Sequence, residues 1–158
     1  MRARAARVED LMTKNPQTCR PEDSLSRAAE ILWDSDVGCA PVVDGDEQLA
    51  GLITDRDICM AAYTRGGRLS DYPVASVMSR EPISCESSEG IDIAQDKMRS
   101  RQIRRIVAME NGRVVGVLSL NDLALAARDQ RGVSREDVAE TLASICEHRP
   151  EQRMAMSA

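Results

Sequence analysis

An internal repeat is the feature of this sequence that most constrains its fold. Residues 8–13 align with residues 74–79 at an offset of 66 positions, and Gly51 aligns with Gly116 at an offset of 65. The offset decreases by one residue within the hairpin-turn sequences of the two copies, where a deletion costs little free energy. A period this long that occurs twice indicates a duplicated supersecondary unit rather than a solenoid.

Both copies contain the same order of predicted elements, which indicates a mixed α/β (α+β) fold. A short strand is followed by an amphipathic helix, two strands joined by a hairpin turn, and a second helix. In repeat 1 the long elements are a helix from Ser24, strands at 39–43 and 48–54, and a helix at 55–64. In repeat 2 they are a helix from Gly90, strands at 103–109 and 113–118, and a helix at 120–128.

A further segment follows repeat 2. Ser134–Asp137 has the spacing of a capping box, and Val138, Leu142 and Ile145 recur at i, i+4 and i+7. This pattern predicts one more amphipathic helix, packed on the core or on a partner subunit. The expected boundaries are 1–72 for repeat 1 with its lead-in and linker, 73–130 for repeat 2, and 131–158 for the C-terminal extension.

Composition excludes several classes of function. The net charge of −5 and the low aromatic content (one Trp, two Tyr and no Phe) disfavour nucleic-acid binding. The one tryptophan, Trp33, is expected to pack at a helix end. No apolar run approaches the length of a membrane span, and the basic N-terminus lacks the apolar region of a signal peptide. Five separated cysteines and the single histidine, His148, predict no metal site and indicate a reducing cytoplasm.

The last strand of each repeat ends in a hydroxyl residue, Thr54 or Ser119. A carboxylate follows three positions later, at Asp57 or Asp122, in the first turn of the next helix. This spacing places the hydroxyl at a helix N-terminus, where unpaired backbone N–H groups can hold a polar or anionic ligand. The carboxylate could accept hydrogen bonds from both hydroxyls of a ribose. The alternative is a capping motif that serves only the helix itself.

These motifs resemble those of the CBS domain family. The lead-in Leu11–Pro16, the strand Pro41–Asp44 and the exit Gly51–Asp57 occur in order and recur in repeat 2, so the resemblance spans about residues 8–128. It implies a pseudo-two-fold module with two clefts that often hold adenosine-containing ligands such as AMP, ADP, ATP, S-adenosylmethionine or NAD(H). It also implies a regulatory module rather than an enzyme, without a required cofactor, that forms a homodimer and acts on an unidentified client protein.

Within that resemblance, the base would lie between aliphatic walls, which suits a chain with few aromatic residues. The base-binding candidates are Gln17, Thr18, Cys19, Val37 and Gly38 in repeat 1, and Ile83, Ser84, Cys85 and Ile103 in repeat 2.

The two clefts are expected to differ in charge. Arg104 and Arg105 of repeat 2 align with Gly38 and Cys39 of repeat 1, and in phosphate-binding relatives a basic residue there meets the phosphoryl groups. The cleft of Ser119 and Asp122 is therefore expected to prefer a phosphorylated nucleotide. The cleft of repeat 1 would be weaker, empty, or occupied by a less charged adenosine compound. Alternatively, the arginines belong to a solvated charged face.

The sequence leaves three kinds of function to compare. A nucleotide sensor would change the assembly of a homodimer or its affinity for a client. A structural or dimerisation module would have vestigial clefts. An enzyme is disfavoured, because neither a nucleophile–base pair nor a Gly-rich phosphate loop occurs in the sequence.

Overall fold

The computed structural model describes residues 6–147, so the expectations for residues 1–5 and for His148 lie outside the described residues. Two short 3-10 turns, Leu69–Asp71 and Val74–Ser76, connect the repeats. The helices and strands in chain order are α1 (Val8–Leu11), β1 (Thr13–Lys14), α2 (Leu25–Asp34), β2 (Cys39–Val43), β3 (Leu49–Thr54), α3 (Asp55–Arg65), β4 (Ser84–Glu86), α4 (Ile91–Arg101), β5 (Arg105–Glu110), β6 (Arg113–Ser119), α5 (Leu120–Arg128) and α6 (Arg135–Cys146).

These elements confirm the predicted mixed α/β fold, and β2 and α5 have the predicted bounds. The strand that was expected to begin at Ile103 begins instead at Arg105. Gln102 adopts a left-handed backbone conformation (φ 50°) that ends α4, and the N–H of Ile103 donates to the carbonyl of Met98. Ile103 therefore belongs to the helix C-terminal turn rather than to the strand.

The lead-in segments exchange between the two sheets. One sheet has the order β1-β6-β5-β4, so that β1 of repeat 1 pairs with β6 of repeat 2, with Thr13 opposite Val117. In the other sheet β2 pairs with β3, and Ser79 from the lead-in of repeat 2 forms an antiparallel bridge with Leu52. Each repeat thus supplies backbone pairing to the edge of the other repeat's sheet.

The same exchange completes the two hydrophobic cores. Val8 and Leu11 are buried among apolar residues of repeat 2, whereas Val74 is buried in the core of repeat 1. The N–H of Val8 donates to the carbonyl of Glu89 at 3.0 Å, and the N–H of Val74 donates to that of Asp23 at 2.8 Å. Because each core contains side chains from both repeats, we expect the repeats to fold together.

The segment after repeat 2 forms helix α6, which packs against α4 and α5. Its predicted apolar stripe is only partly correct, since Val138 and Ile145 contact the core but Leu142 is exposed. Thr141 takes the buried position instead. Its hydroxyl donates to the carbonyl of Asp137 at 2.7 Å, so that the buried hydroxyl has a hydrogen-bond partner.

The expectation for Trp33 is wrong. Its side chain is 87% exposed on α2, because no element within the described residues packs against it. None of the helices in residues 6–147 has the length and apolar character needed to cross a membrane.

Gly51 and Gly116 lie where the exchanged segments cross the central strands. A Cβ at Gly51 would lie 2.7 Å from both the carbonyl oxygen of Ser79 and the sulfur of Met78. A Cβ at Gly116 would lie 3.0 Å from the carbonyl oxygen of Thr13. Glycine at both positions therefore permits the close backbone approach on which the exchange depends.

Replacing Gly51 by alanine is expected to lower the free energy of unfolding by about 1–3 kcal/mol, since the added methyl group must displace the crossing segment. Urea denaturation measures the effect. Gly45→Ala is the matched control, because a Cβ there meets nothing within 4 Å. Equal stability of the Gly51→Ala and Gly45→Ala variants would contradict the packing argument.

Candidate functional site

A cleft of about 370 Å³ lies between the two repeats. Repeat 1 contributes Thr13, residues 15–17, and residues 35–39, which form the loop after α2 and the first position of β2. Repeat 2 contributes Arg105 from β5 and the junction of β6 with α5, including Ser119 and Asp122. The site therefore depends on both repeats.

The cleft brings together seven of the predicted site residues, and it draws them from both repeats: Gln17, Val37, Gly38, Cys39, Arg105, Ser119 and Asp122. Gly38 and Cys39 of repeat 1 face the same space as Arg105, Ser119 and Asp122 of repeat 2. Alignment of the repeats groups the candidates by repeat and does not reveal how the two repeats pack against each other. The predicted residues that do not line this cleft are Thr18, Cys19, Thr54, Asp57, Ile83, Ser84, Cys85, Ile103 and Arg104.

Ser119 and Asp122 form a complete capping box at the start of α5. Oδ2 of Asp122 accepts from the N–H of Ser119 at 2.8 Å and from its hydroxyl at 2.7 Å. The hydroxyl oxygen in turn accepts from the N–H of Asp122 at 3.2 Å. Both side chains therefore stabilise the helix start without any ligand, as the capping interpretation predicts.

Capping uses only one of the two carboxylate oxygens of Asp122. Oδ1 makes no hydrogen bond with any residue in the range 6–147, and the side chain lines the cleft. A carboxylate oxygen has lone pairs for more than one donor. The same residue can thus cap α5 and accept a hydrogen bond from a ligand hydroxyl.

Thr54 and Asp57 repeat this arrangement at the start of α3. Oδ2 of Asp57 accepts from the N–H of Thr54 at 2.9 Å and from its hydroxyl at 2.7 Å. Thr54 pairs with Cys39 across β2 and β3, as Ser119 pairs with Arg105 across β5 and β6. The two corners are equivalent in backbone, but the strand position beside each hydroxyl is a thiol in repeat 1 and a guanidinium in repeat 2.

Arg105 reaches from repeat 2 to the backbone of repeat 1. Its guanidinium occupies the space that a Cβ at Gly38 would need, so glycine at that position makes room for it. Arg105 forms no ion pair with the carboxylates of residues 6–147. It is also the one basic side chain among the residues that line this cleft. Its charge is thus available to an anionic group.

Cys39 forms an uncharged wall beside this arginine. Burial raises the pKa of the Cys39 thiol, and the nearby carboxylate of Asp55 raises it further, against the lowering effect of Arg105. The thiol is therefore protonated at neutral pH and does not neutralise the guanidinium. Cys39 acts here as a small apolar group.

The other arginines have different surroundings. Arg104 is exposed, and its carbonyl accepts from the N–H of Leu120 at 2.9 Å. Arg99 pairs with the exposed carboxylate of Asp96 and so belongs to a charged surface. No cluster of three or more His, Cys, Asp or Glu side chains within residues 6–147 is arranged to hold a metal ion.

Comparison with known proteins identifies the family. The CBS domain model matches residues 8–63 and 74–129. The CBS domain-containing protein YhcV of Bacillus subtilis is 36% identical over 118 residues, covering 75% of this chain and 83% of that protein. The CBS domain protein PAE2072 of Pyrobaculum aerophilum, solved in complex with AMP, has a TM-score of 0.71 and 27% identity, and the match covers 88% of this chain and 99% of that chain.

The CBS domain pair of protein MJ0100, solved with 5′-methylthioadenosine and S-adenosyl-L-methionine, has a TM-score of 0.73 and 26% identity. That match covers 80% of this chain and 99% of the solved chain. Family model, relatives and solved structures all match across both repeats, and the two repeats have the strand exchange and paired capping boxes described above. The chain therefore belongs to the CBS domain family and carries one CBS domain in each repeat.

Proposed function

We propose that this chain is a regulatory module that binds an adenosine-containing nucleotide in the cleft between its repeats and transmits occupancy to a partner. The observation that carries the proposal is the pairing, in one cleft, of the unoccupied Oδ1 of Asp122 with the unpaired guanidinium of Arg105. One group suits a ribose hydroxyl and the other suits a phosphate. Complexes of CBS relatives with AMP and with 5′-methylthioadenosine support an adenosine ligand.

The charge of the cleft favours a monophosphate. Arg105 is accompanied by two carboxylates, those of Asp36 and Asp122, among the lining residues. A single guanidinium can form a bidentate contact with one phosphate, whereas further phosphates would add negative charge near Asp36. AMP is therefore proposed to bind more tightly than ADP or ATP at this site.

The proposed setting is a homodimer in the reducing cytoplasm, which acts on a client protein and does not catalyse a reaction. The five cysteines form no disulfide, which fits that compartment.

A second candidate function is a dimerisation module with vestigial clefts. The capping boxes favour it, since Asp57 and Asp122 have a structural role without any ligand. A thermal shift with AMP separates the two, because a ligand of the folded state raises its melting temperature.

Replacing Asp122 by asparagine tests the ribose contact. We expect AMP affinity to fall at least about tenfold, as the loss of a charge-assisted hydrogen bond of about 1.5–3 kcal/mol implies. Isothermal titration calorimetry gives the change. Asp57→Asn is the matched control, because it alters the equivalent capping box of α3, which lies outside this cleft, and should leave the AMP affinity of this cleft unchanged. Equal losses in both variants would assign the effect to helix stability.

Replacing Arg105 by alanine tests the phosphate contact. AMP affinity is expected to fall at least about tenfold while adenosine affinity stays the same, because adenosine has no phosphate for the guanidinium to bind. The exposed neighbour Arg104, changed to alanine, provides the control. AMP binding that is insensitive to Arg105→Ala would remove this residue from the site.

A further inference from the structure

The guanidinium of Arg105 has a carboxylate neighbour that does not belong to the cleft. A Cβ placed on Gly38 would overlap with Nη2 of Arg105, and it would lie 3.4 Å from Oδ2 of Asp55. The two side chains therefore approach the same small volume beside the Gly38 backbone, one from each repeat. Arg105 lines the cleft and Asp55 does not. The charge that is available to an anionic ligand thus has a second negative group within its reach.

Backbone contacts hold Asp55 at this position. It is the first residue of α3, and its N–H donates to the carbonyl of Gly38 at 3.3 Å. Its Oδ1 accepts from the N–H of Arg56 at 2.7 Å. Oδ2, the oxygen near Gly38, accepts no hydrogen bond from any residue in the range 6–147. One carboxylate oxygen of Asp55 is therefore fixed on its own helix, and the other remains for a cationic group.

Asp55 and Arg105 do not form a closed ion pair. Among residues 6–147, no carboxylate oxygen lies at ion-pair distance from the Arg105 guanidinium. Both charges nevertheless act on one thiol: burial raises the pKa of Cys39, Arg105 lowers it and Asp55 raises it. The carboxylates of Asp36 and Asp122 face the guanidinium from the cleft itself. The arginine is thus near several acceptors and is bound by none of them.

Repeat 2 has no counterpart of this arrangement. Gly38 aligns with Arg104 at the offset of 66, and Asp55 aligns with Leu120 at the offset of 65. Leu120 is 9% exposed and packs in the core of repeat 2, so the first position of α5 carries no charge. The glycine that makes room for the guanidinium and the carboxylate beside it both belong to repeat 1. Only the cleft that contains Arg105 therefore has this acidic neighbour.

We propose that Asp55 determines the phosphate selectivity of the cleft: it attracts the Arg105 guanidinium in the ligand-free protein and competes for it with the phosphate of a bound nucleotide. The inference rests on the proposed function, since it concerns the affinity of the same site. A nearby carboxylate opposes a phosphate in two ways, because it attracts the guanidinium and repels the second anion. Adenosine has no phosphate and does not meet this competition.

Replacing Asp55 by asparagine is the first test, with AMP and adenosine as ligands in isothermal titration calorimetry. AMP affinity is expected to rise about two- to fivefold, the range implied by an exposed charge pair, and adenosine affinity is expected to stay the same. The gain should shrink at high salt, where exposed charges are screened. Asp46→Asn is the matched control, because it removes an exposed carboxylate from the β2–β3 turn, outside the cleft, and should leave both affinities unchanged.

A double-mutant cycle shows whether Asp55 acts through Arg105. In the Arg105→Ala background, Asp55→Asn is expected to leave AMP affinity unchanged, since the guanidinium for which the two anions compete is absent. An equal rise of AMP affinity in both backgrounds would assign the effect to general repulsion and would overturn the inference. So would an AMP affinity that is unchanged or lowered in the single variant Asp55→Asn.

The melting temperatures of the same four proteins test the attraction without any ligand. Asp55→Asn is expected to lower the melting temperature less in the Arg105→Ala background than in the natural chain, because only the natural chain loses an attraction to the guanidinium. Additive changes would overturn the inference even if AMP binds. A natural chain that binds no AMP would instead overturn the proposed function, and the melting temperatures would still decide whether Asp55 attracts Arg105.

Discussion

The whole structure depends on the close contact between each central glycine and the exchanged segment of the other repeat. Without a side chain at Gly51 and Gly116, the segments that carry Met78 and Met12 can lie directly on strands β3 and β6. This contact places α1 and Val74 in opposite cores and joins the repeats through backbone hydrogen bonds. The cleft follows from it, because residues 15–17 reach the β6–α5 junction only if β1 pairs with β6.

The capping boxes show how a structural role can leave one oxygen of the same side chain for the proposed binding role. Each aspartate uses Oδ2 for its own helix, so the motif is required for a stable helix start whether or not a ligand binds. The asymmetry between the repeats comes from neighbouring positions. Arg105 and Cys39 occupy the same strand register, and only the arginine brings a charge to the cleft. Duplication thus preserved the backbone corner while substitution changed its electrostatics.

Much of the fold could be predicted from local patterns. The capping residue Ser24, the strand Cys39–Val43 and the helix Leu120–Arg128 depend on neighbours in sequence, and each lies where the pattern predicts. The strand order could not be predicted in this way, because pairing of β1 with β6 joins residues about a hundred positions apart. For the same reason, the sequence alone does not show that residues from both repeats line one cleft.

Surface features were harder to predict, since a hydrophobic stripe does not specify what covers it. Trp33 fits an amphipathic helix equally well as a core residue or as an exposed one. No sequence pattern predicts the burial of Thr141, because its burial follows from the two hydrogen-bond donors that α4 presents to it. Leu142 matches the helical period and is nevertheless exposed.

The capping box at α5 has one more consequence. Since Ser119 and Asp122 already close the turn, a ligand of the proposed site would find its acceptor oxygen in place and would have no loop to order. The conformational entropy that ligands of disordered sites must overcome is therefore largely absent at this corner. Occupancy would then follow the surrounding concentration at the speed of association and release, without a lag for refolding.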